Sequence, residues 1–278
     1  MLSFEVIKKI EDFVYAKPRS IQEIARHINK NWRTADRYIQ EIQTQQGTLS
    51  TRVFREGTRG ALKIVFWSSI EKASSTIFQE ELEKQIYAGR KKEDFSAFDI
   101  FQHVKDKNKK ITIENEKSEE QTNTKDLSIL FSEAEKQVII FSGNLSFINL
   151  EYNKILIIDI IENLMKRGVS IKIICRIDIA GKENIDRILS LNFKLGKELI
   201  EIRHKEQPLR CIIIDKKVLR IKEIKEPTGR KNELKNKIFL FYTIKDKEWI
   251  EWLTKIFFKM FSFSIDSKKR LEELNRII

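Results

Sequence analysis

The chain has little of the residue types that build most compact chemistry. Its 278 residues hold two cysteines, Cys175 and Cys211, each inside an apolar strand-like run. This pattern points to buried core thiols in a reducing compartment. The three histidines, His27, His103 and His204, are scattered and share no metal-ligand spacing. The nine glycines form no phosphate-cradling loop. There is no Gly-x-Ser-x-Gly elbow and no His-Glu-x-x-His. Asp178 and Glu183 follow a strand, but nothing pairs them, and they read as a surface loop. No cofactor or metal is expected. The opening Met1-Leu2-Ser3-Phe4-Glu5 meets an acid at once and lacks the apolar core of a signal peptide. The longest apolar stretch, residues 249–263, is broken by Glu251, Lys255 and Lys259, too short and too charged to span a bilayer. A cytoplasmic protein without a membrane partner is the expectation.

Basic residues are plentiful: 53 lysines and arginines against 41 acids, a net charge of +12 and a pI near 9.5. That balance favours a polyanionic partner through counterion release. An apolar fraction of 41% over this length suits two domains with a sizeable core.

The cations have a place to act. Ser20-Ile21-Gln22-Glu23 has the form of a capping box. Ile21, Ile24, Ala25 and Ile28 follow at helical spacing. After a break at residues 29–31, a second helix runs to about Ile42, with Trp32, Ala35, Ile39 and Ile42 on one face. Arg33, Thr34, Arg37 and Tyr38 are assigned to the opposite face, where they would reach phosphates and base edges. Two strands, residues 49–55 and 61–67, flank a glycine-containing turn at residues 56–60, which makes a hairpin with Arg55 and Arg59 at its tip. A preceding helix, residues 2–16, is stopped by Lys17-Pro18 and completes a small helical core. The region resembles the winged-helix domains of prokaryotic transcription regulators. That resemblance implies DNA readout by the second helix and backbone contact by the hairpin. A small domain that docks protein is the alternative.

Residues 71–125 read as a helical connector followed by a polar linker. Within residues 105–125 only Ile111 and Ile113 interrupt a run of Lys, Glu, Asn, Ser, Gln and Thr. From residue 126 strands and helices alternate and then give way to a strand meander. This is an α/β pattern with a mixed sheet. The expected division is 1–70, 71–125 and 126–278.

One strand of this second half carries a near-motif, Pro208-Leu209-Arg210-Cys211-Ile212-Ile213-Ile214-Asp215. It resembles the phospholipase D signature, a His, any residue, a Lys, four residues and an Asp, on a strand before a hairpin. The aspartate stands as Asp215, Arg210 replaces the lysine and Pro208 replaces the histidine. In that family the histidine attacks phosphorus, so the resemblance implies a phospholipase D-like domain without its nucleophile. His204 lies upstream at the wrong spacing. Arg203, His204, Gln207 and Arg210 would line a pocket for an anion, with solvated or ion-paired groups as the plainer reading. A winged helix joined to such a domain resembles archaeal TrmB-type regulators in plan. It implies a homodimeric double-stranded-DNA-binding transcription regulator, a pseudoenzyme with a small anionic effector. A phospholipase D-type nuclease targeted by the winged helix and a protein-docking module are the alternatives. Residues 249–263 hold more apolar surface than one helix face usually buries, and part of it is expected at the homodimer interface.

Overall fold

Ser20 does at the second helix what its spacing to Glu23 predicts: its hydroxyl accepts from the Glu23 N–H at 3.3 Å, and its own N–H donates to the Glu23 carboxylate at 2.7 Å. The computed structural model describes residues 2–45, 47–55, 61–67, 75–115, 122–227 and 236–276. Two compact units account for the chain: Met1–Glu80 with Ile113–Lys117 and Ile224–Phe239, and Glu81–Thr112 with Ser118–Glu223 and Leu240–Ile278.

The first unit opens with α1 (Phe4–Ala16), β1 (Arg19–Ser20), α2 (Ile21–His27) and α3 (Trp32–Gln45), then β2 (Leu49–Arg55) and β3 (Ala61–Trp67). Ile10, Ile24, Ala25, Ala35, Ile39, Ile42 and Val65 are buried together, so the helical stripes read from the sequence meet in one core. β2 and β3 pair antiparallel from Leu49 opposite Trp67 to Arg55 opposite Ala61. β1 adds a third strand beside β3, a pairing too short for any periodicity to announce. Helix, strand, helix, helix and hairpin in this order form a winged-helix arrangement.

The chain continues with α4 (Ser75–Ala88), α5 (Ala97–His103), β4 (Lys109–Asn115), α6 (Thr122–Ser132), β5 (Gln137–Phe141), β6 (Glu151–Tyr152), β7 (Ile155–Leu156) and α7 (Ile157–Lys166). Then come β8 (Ser170–Cys175), α8 (Lys182–Leu195), β9 (Ile200–His204), β10 (Cys211–Ile214), β11 (Val218–Lys225), β12 (Ile238–Ile244), α9 (Lys247–Ser262), β13 (Ile265–Asp266) and α10 (Ser267–Asn275). Among the described residues one eight-stranded sheet runs in the order β13-β9-β8-β5-β10-β11-β12-β4. β5, β8 and β9 are parallel to one another, and β10 is antiparallel to both β5 and β11. The fold is α/β with a mixed sheet.

Val138, Ile140, Ile171, Ile173, Ile200 and Ile202 point to one face and pack with Leu127, Ile161 and Ile188 of α6, α7 and α8. On the other face Phe141 meets Phe257 of α9 edge to face, their centroids 5.1 Å apart. Strands buried on both sides explain the unbroken isoleucine runs.

Two expectations are corrected. Residues 109–115, read as linker, form the edge strand β4. None of its residues is fully buried, so an edge strand here needs few apolar residues, and composition could not announce it. α7 begins at Ile157, after the short β6–β7 hairpin. The surplus apolar surface of α9 is consumed within the chain: Trp249, Ile250, Trp252, Leu253, Ile256, Phe257, Met260 and Phe261 are all buried, leaving Phe258 and, just past the helix, Phe263 exposed. A helix on a wide sheet, flanked by α5, buries more than one stripe.

Candidate functional site

α3 is set on its unit by its first turn. The Asn31 side chain accepts from the Thr34 N–H at 2.9 Å, a cap at the helix start. Asn29 takes the left-handed conformation, φ 54°, in the turn from α2, which asparagine tolerates. With Ala35, Ile39 and Ile42 buried, the exposed face consists of Arg33, Arg37, Gln40 and Thr44. These are successive one-turn neighbours and form a straight stripe. Gln40 donates to the Asp36 carboxylate at 3.3 Å, and Asp36 is fixed by Lys63 of β3 at 2.6 Å. The Arg33 guanidinium stands over the Trp32 ring and that of Arg37 over the Tyr38 ring, each 5.5 Å from the centroid.

Thr34 and Tyr38 do not stand on that stripe. Both are half-buried, and Tyr38 packs against the core. At about 100° per residue, Tyr38 lies only about 60° from the buried stripe, close enough to turn inward. Gln40 and Thr44 were missed, although the same angular step places them beside Arg33 and Arg37. The backbone of Arg55 ends the β2–β3 ladder opposite Ala61. Its side chain and the whole of Arg59 lie outside the described residues.

The capping glutamate is also charge-stabilised. Burial pushes the Glu23 carboxyl upward, but Lys225 at 3.6 Å, the Ser20 hydrogen bonds and Arg19 outweigh it and hold the group below its ordinary value.

In the second unit, the near-motif strand is β10 with its flanks. Asp215 and Lys216, φ 50° and 55°, make a two-residue turn into β11, closed by the Lys217 N–H on the Ile214 carbonyl at 2.8 Å. The Asp215 carboxylate accepts the backbone N–H groups of Glu135, Lys136 and Gln137, each at 2.8 Å. Burial would raise its pKa, but these three bonds and Lys217 prevail and hold it below the usual carboxylate range. Asp215 thus ties the hairpin to the start of β5.

Pro208 is buried, and its ring presses on Gly89: a Cβ there would come within 2.7 Å of the proline Cγ. Arg210 lies against Gly143, where a Cβ would meet its Nη2 at 3.0 Å. Its Nη1 donates to the Leu209 and Gln207 carbonyls at 2.6 and 3.3 Å. Burial first, then Arg176, lowers the pKa of its guanidinium. Arg176, a second cation by Arg210 that sequence spacing gives no sign of, pairs with Asp178 at 2.6 Å.

The four residues assigned to an anion pocket are each engaged internally. Gln207 is buried, its amide bridging the Ser142 carbonyl and the Leu209 N–H. His204 Nδ1 accepts the Ile177 N–H at 2.9 Å. Burial and then Arg270 lower its pKa. Arg203 sits over the Phe261 ring, 5.1 Å from the centroid. Adjacent strand residues point to opposite faces, so Arg203 and His204 do not line one pocket.

Cys175 and Cys211 are buried free thiols, and burial pushes the Cys175 thiol up to about 12. Among the described residues no group of three or more His, Cys, Asp or Glu is placed to hold a metal ion. Nor is any helix among them long and apolar enough to cross a membrane.

No family model matches the chain, and no curated protein does. Solved structures resemble it distantly. Nuc, a phospholipase D family member from Salmonella typhimurium, is 13% identical over 57% of this chain and 97% of its own, with a TM-score of 0.40. NucT from Helicobacter pylori is 16% identical over 57% of this chain and 99% of its own, with a TM-score of 0.40. TrmBL2, an archaeal chromatin protein, is 14% identical over 95% of this chain and 94% of its own, with a TM-score of 0.41.

Proposed function

We propose that this chain is a DNA-binding transcription regulator whose winged helix reads duplex DNA and whose α/β unit is non-catalytic, serving dimerisation or ligand sensing. The observation that carries the reading is the exposed stripe of Arg33, Arg37, Gln40 and Thr44 on a capped, firmly seated α3. Arginine and glutamine are the side chains that pair bidentately with guanine and adenine edges. The +12 net charge supplies the sequence-independent part of such binding. Arg55 and Arg59 extend the contact to the flanking backbone in this reading.

Pro208 offers no side-chain nucleophile, and His204 spends its Nδ1 lone pair on a backbone N–H. Asp215 spends its oxygens on three more. The nuclease alternative draws on one feature, the Arg210 guanidinium, whose pKa is lowered by burial first and then by Arg176. Hydrolysis of supercoiled plasmid by the full chain, with and without chelator, separates the two. Chelator-resistant nicking that disappears in Arg210→Ala would make the chain a nuclease.

DNA binding is tested by fluorescence anisotropy on genomic duplex fragments across a salt series. Arg37→Ala is expected to weaken specific binding by about 1–3 kcal/mol. Unchanged affinity for every fragment in both Arg37→Ala and Arg33→Ala would remove α3 as the reading element.

A further inference from the structure

The sheet face that carries α6 is apolar over β5, β8 and β9 and changes character on β11, β12 and β4. Register places Val218 and Arg220 on that face, opposite Ile214 and Ile212. The next strands contribute Thr243 and Lys245, and Lys110 and Thr112, also spaced by two, to the lining of one cavity of about 380 Å³. α6 supplies the facing wall. Its Leu127 and Phe131 enter the core, while Asp126, Ile129 and Leu130 turn to the cavity.

Three features suit this cavity to a ligand. Its charge is unbalanced: Lys107, Lys110, Arg220 and Lys245 face only Asp126 and Glu133, while the Lys109 ammonium turns away to the Phe101 carbonyl and Asp106. One cation is held in place. Arg220, 8% exposed, pairs with Asp126 at 3.2 Å and stands over the Phe241 ring at 4.9 Å. Apolar surface is present too, in Leu130, Val218 and Ile129, the last 47% exposed. Convergent polar groups over an apolar lining are the usual build of a small-molecule site. A recess between helix and sheet admits a small molecule, whereas a nucleic-acid backbone needs an open track.

We infer that the cavity between α6 and strands β11, β12 and β4 binds a small organic anion, a phosphate or carboxylate carried on an apolar body. The charged head meets Arg220, Lys110 and Lys245, with the Thr112 and Thr243 hydroxyls as donors, and the body lies against Ile129 and Leu130. The site is distinct from Arg203, His204, Gln207 and Arg210, which are engaged internally.

The test is a fluorescence titration of the full chain, without DNA, so that its outcome is independent of the DNA-binding reading. The ligands are 1-naphthyl phosphate and 1-naphthoate, with 1-naphthol and inorganic phosphate as arms lacking the charge or the apolar body. Saturable one-site binding of at least one naphthyl anion is expected, weakening with salt, with both control arms weaker. The naphthyl anion that binds more tightly identifies the head group. Lys110→Glu/Lys245→Glu, two exposed positions, should weaken binding at least about tenfold, as loss of charge-assisted contacts implies. Thr243→Trp should block it by filling the recess. The inference is overturned by no saturable binding of either naphthyl anion, by equal binding of 1-naphthol, or by undiminished binding in the Lys110→Glu/Lys245→Glu variant.

Discussion

Arg37 and Arg210 are the same residue type in two different predicaments. Arg37 sits on an exposed helix face, braced by an aromatic ring with its donors toward solvent. Arg210 follows a buried loop, with its Nη1 on the Leu209 and Gln207 carbonyls and its guanidinium pressed against a glycine. Asp36 and Asp215 repeat the contrast: one steadies Lys63 and Gln40 beneath a surface stripe, the other is saturated by backbone N–H groups. A motif residue is free for chemistry only if the fold leaves its polar atoms unspent. In this chain Arg37 of α3 is left so, and Asp215 at the end of the near-motif strand is not.

The largest effect that would sharpen this contrast belongs to Asp215. Asp215→Ala should destabilise the fold by about 2–3 kcal/mol, since three backbone donors lose their charged acceptor at once. The sign with pH follows from the depressed carboxyl: its contribution is present above the unfolded aspartate pKa and is lost as pH falls through the lower folded value. Urea melts at pH 7 and at about pH 3 should show the wild-type and variant curves converging in acid. A constant gap would mean that the carboxylate charge is not what the three donors need.

Next comes Gly89. Gly89→Ala drives a Cβ into the rigid Pro208 ring and should cost about 1–3 kcal/mol by overpacking. Pro208→Ala should relieve the variant when combined with it. Additive losses in that double-mutant cycle would show that the two residues do not press on each other.

The smallest effect lies in the other unit. Ser20→Ala removes the N-cap of α2 and should cost about 1 kcal/mol. Glu23→Gln tests whether the capping partner acts by charge as well as by hydrogen bonding. Thermal melts that leave both variants at the wild-type midpoint would mean the box is redundant.

What could be read in the sequence follows from how local each feature is. The capping box, the α3 stripe and the hairpin are set by residues within a turn or two of one another, and the alternation of isoleucine strands and helices made the α/β class legible. Gln40 and Thr44 were within reach of the same helical arithmetic. β1 was not, because two residues carry no periodicity, nor was β4, because an edge strand buries too little to look like one. The positions of Arg176 beside Arg210 and of Gly89 beneath Pro208 depend on contacts far along the chain. The anion pocket expected at Arg203, His204, Gln207 and Arg210 ignored the two-residue period of β9 and the inward turn of Gln207.

The ion pair between Glu23 and Lys225 has a bearing on how the protein is made. The unit that holds α1, α2 and α3 also contains residues 224–239, so it is assembled from segments synthesised at different times. Synthesis delivers the N-terminal helices first, but a nascent chain arrested before residue 225 holds Glu23 without that cation. The electrostatic finish of the helix-turn-helix therefore waits until the strands of the α/β sheet through β10 have already emerged.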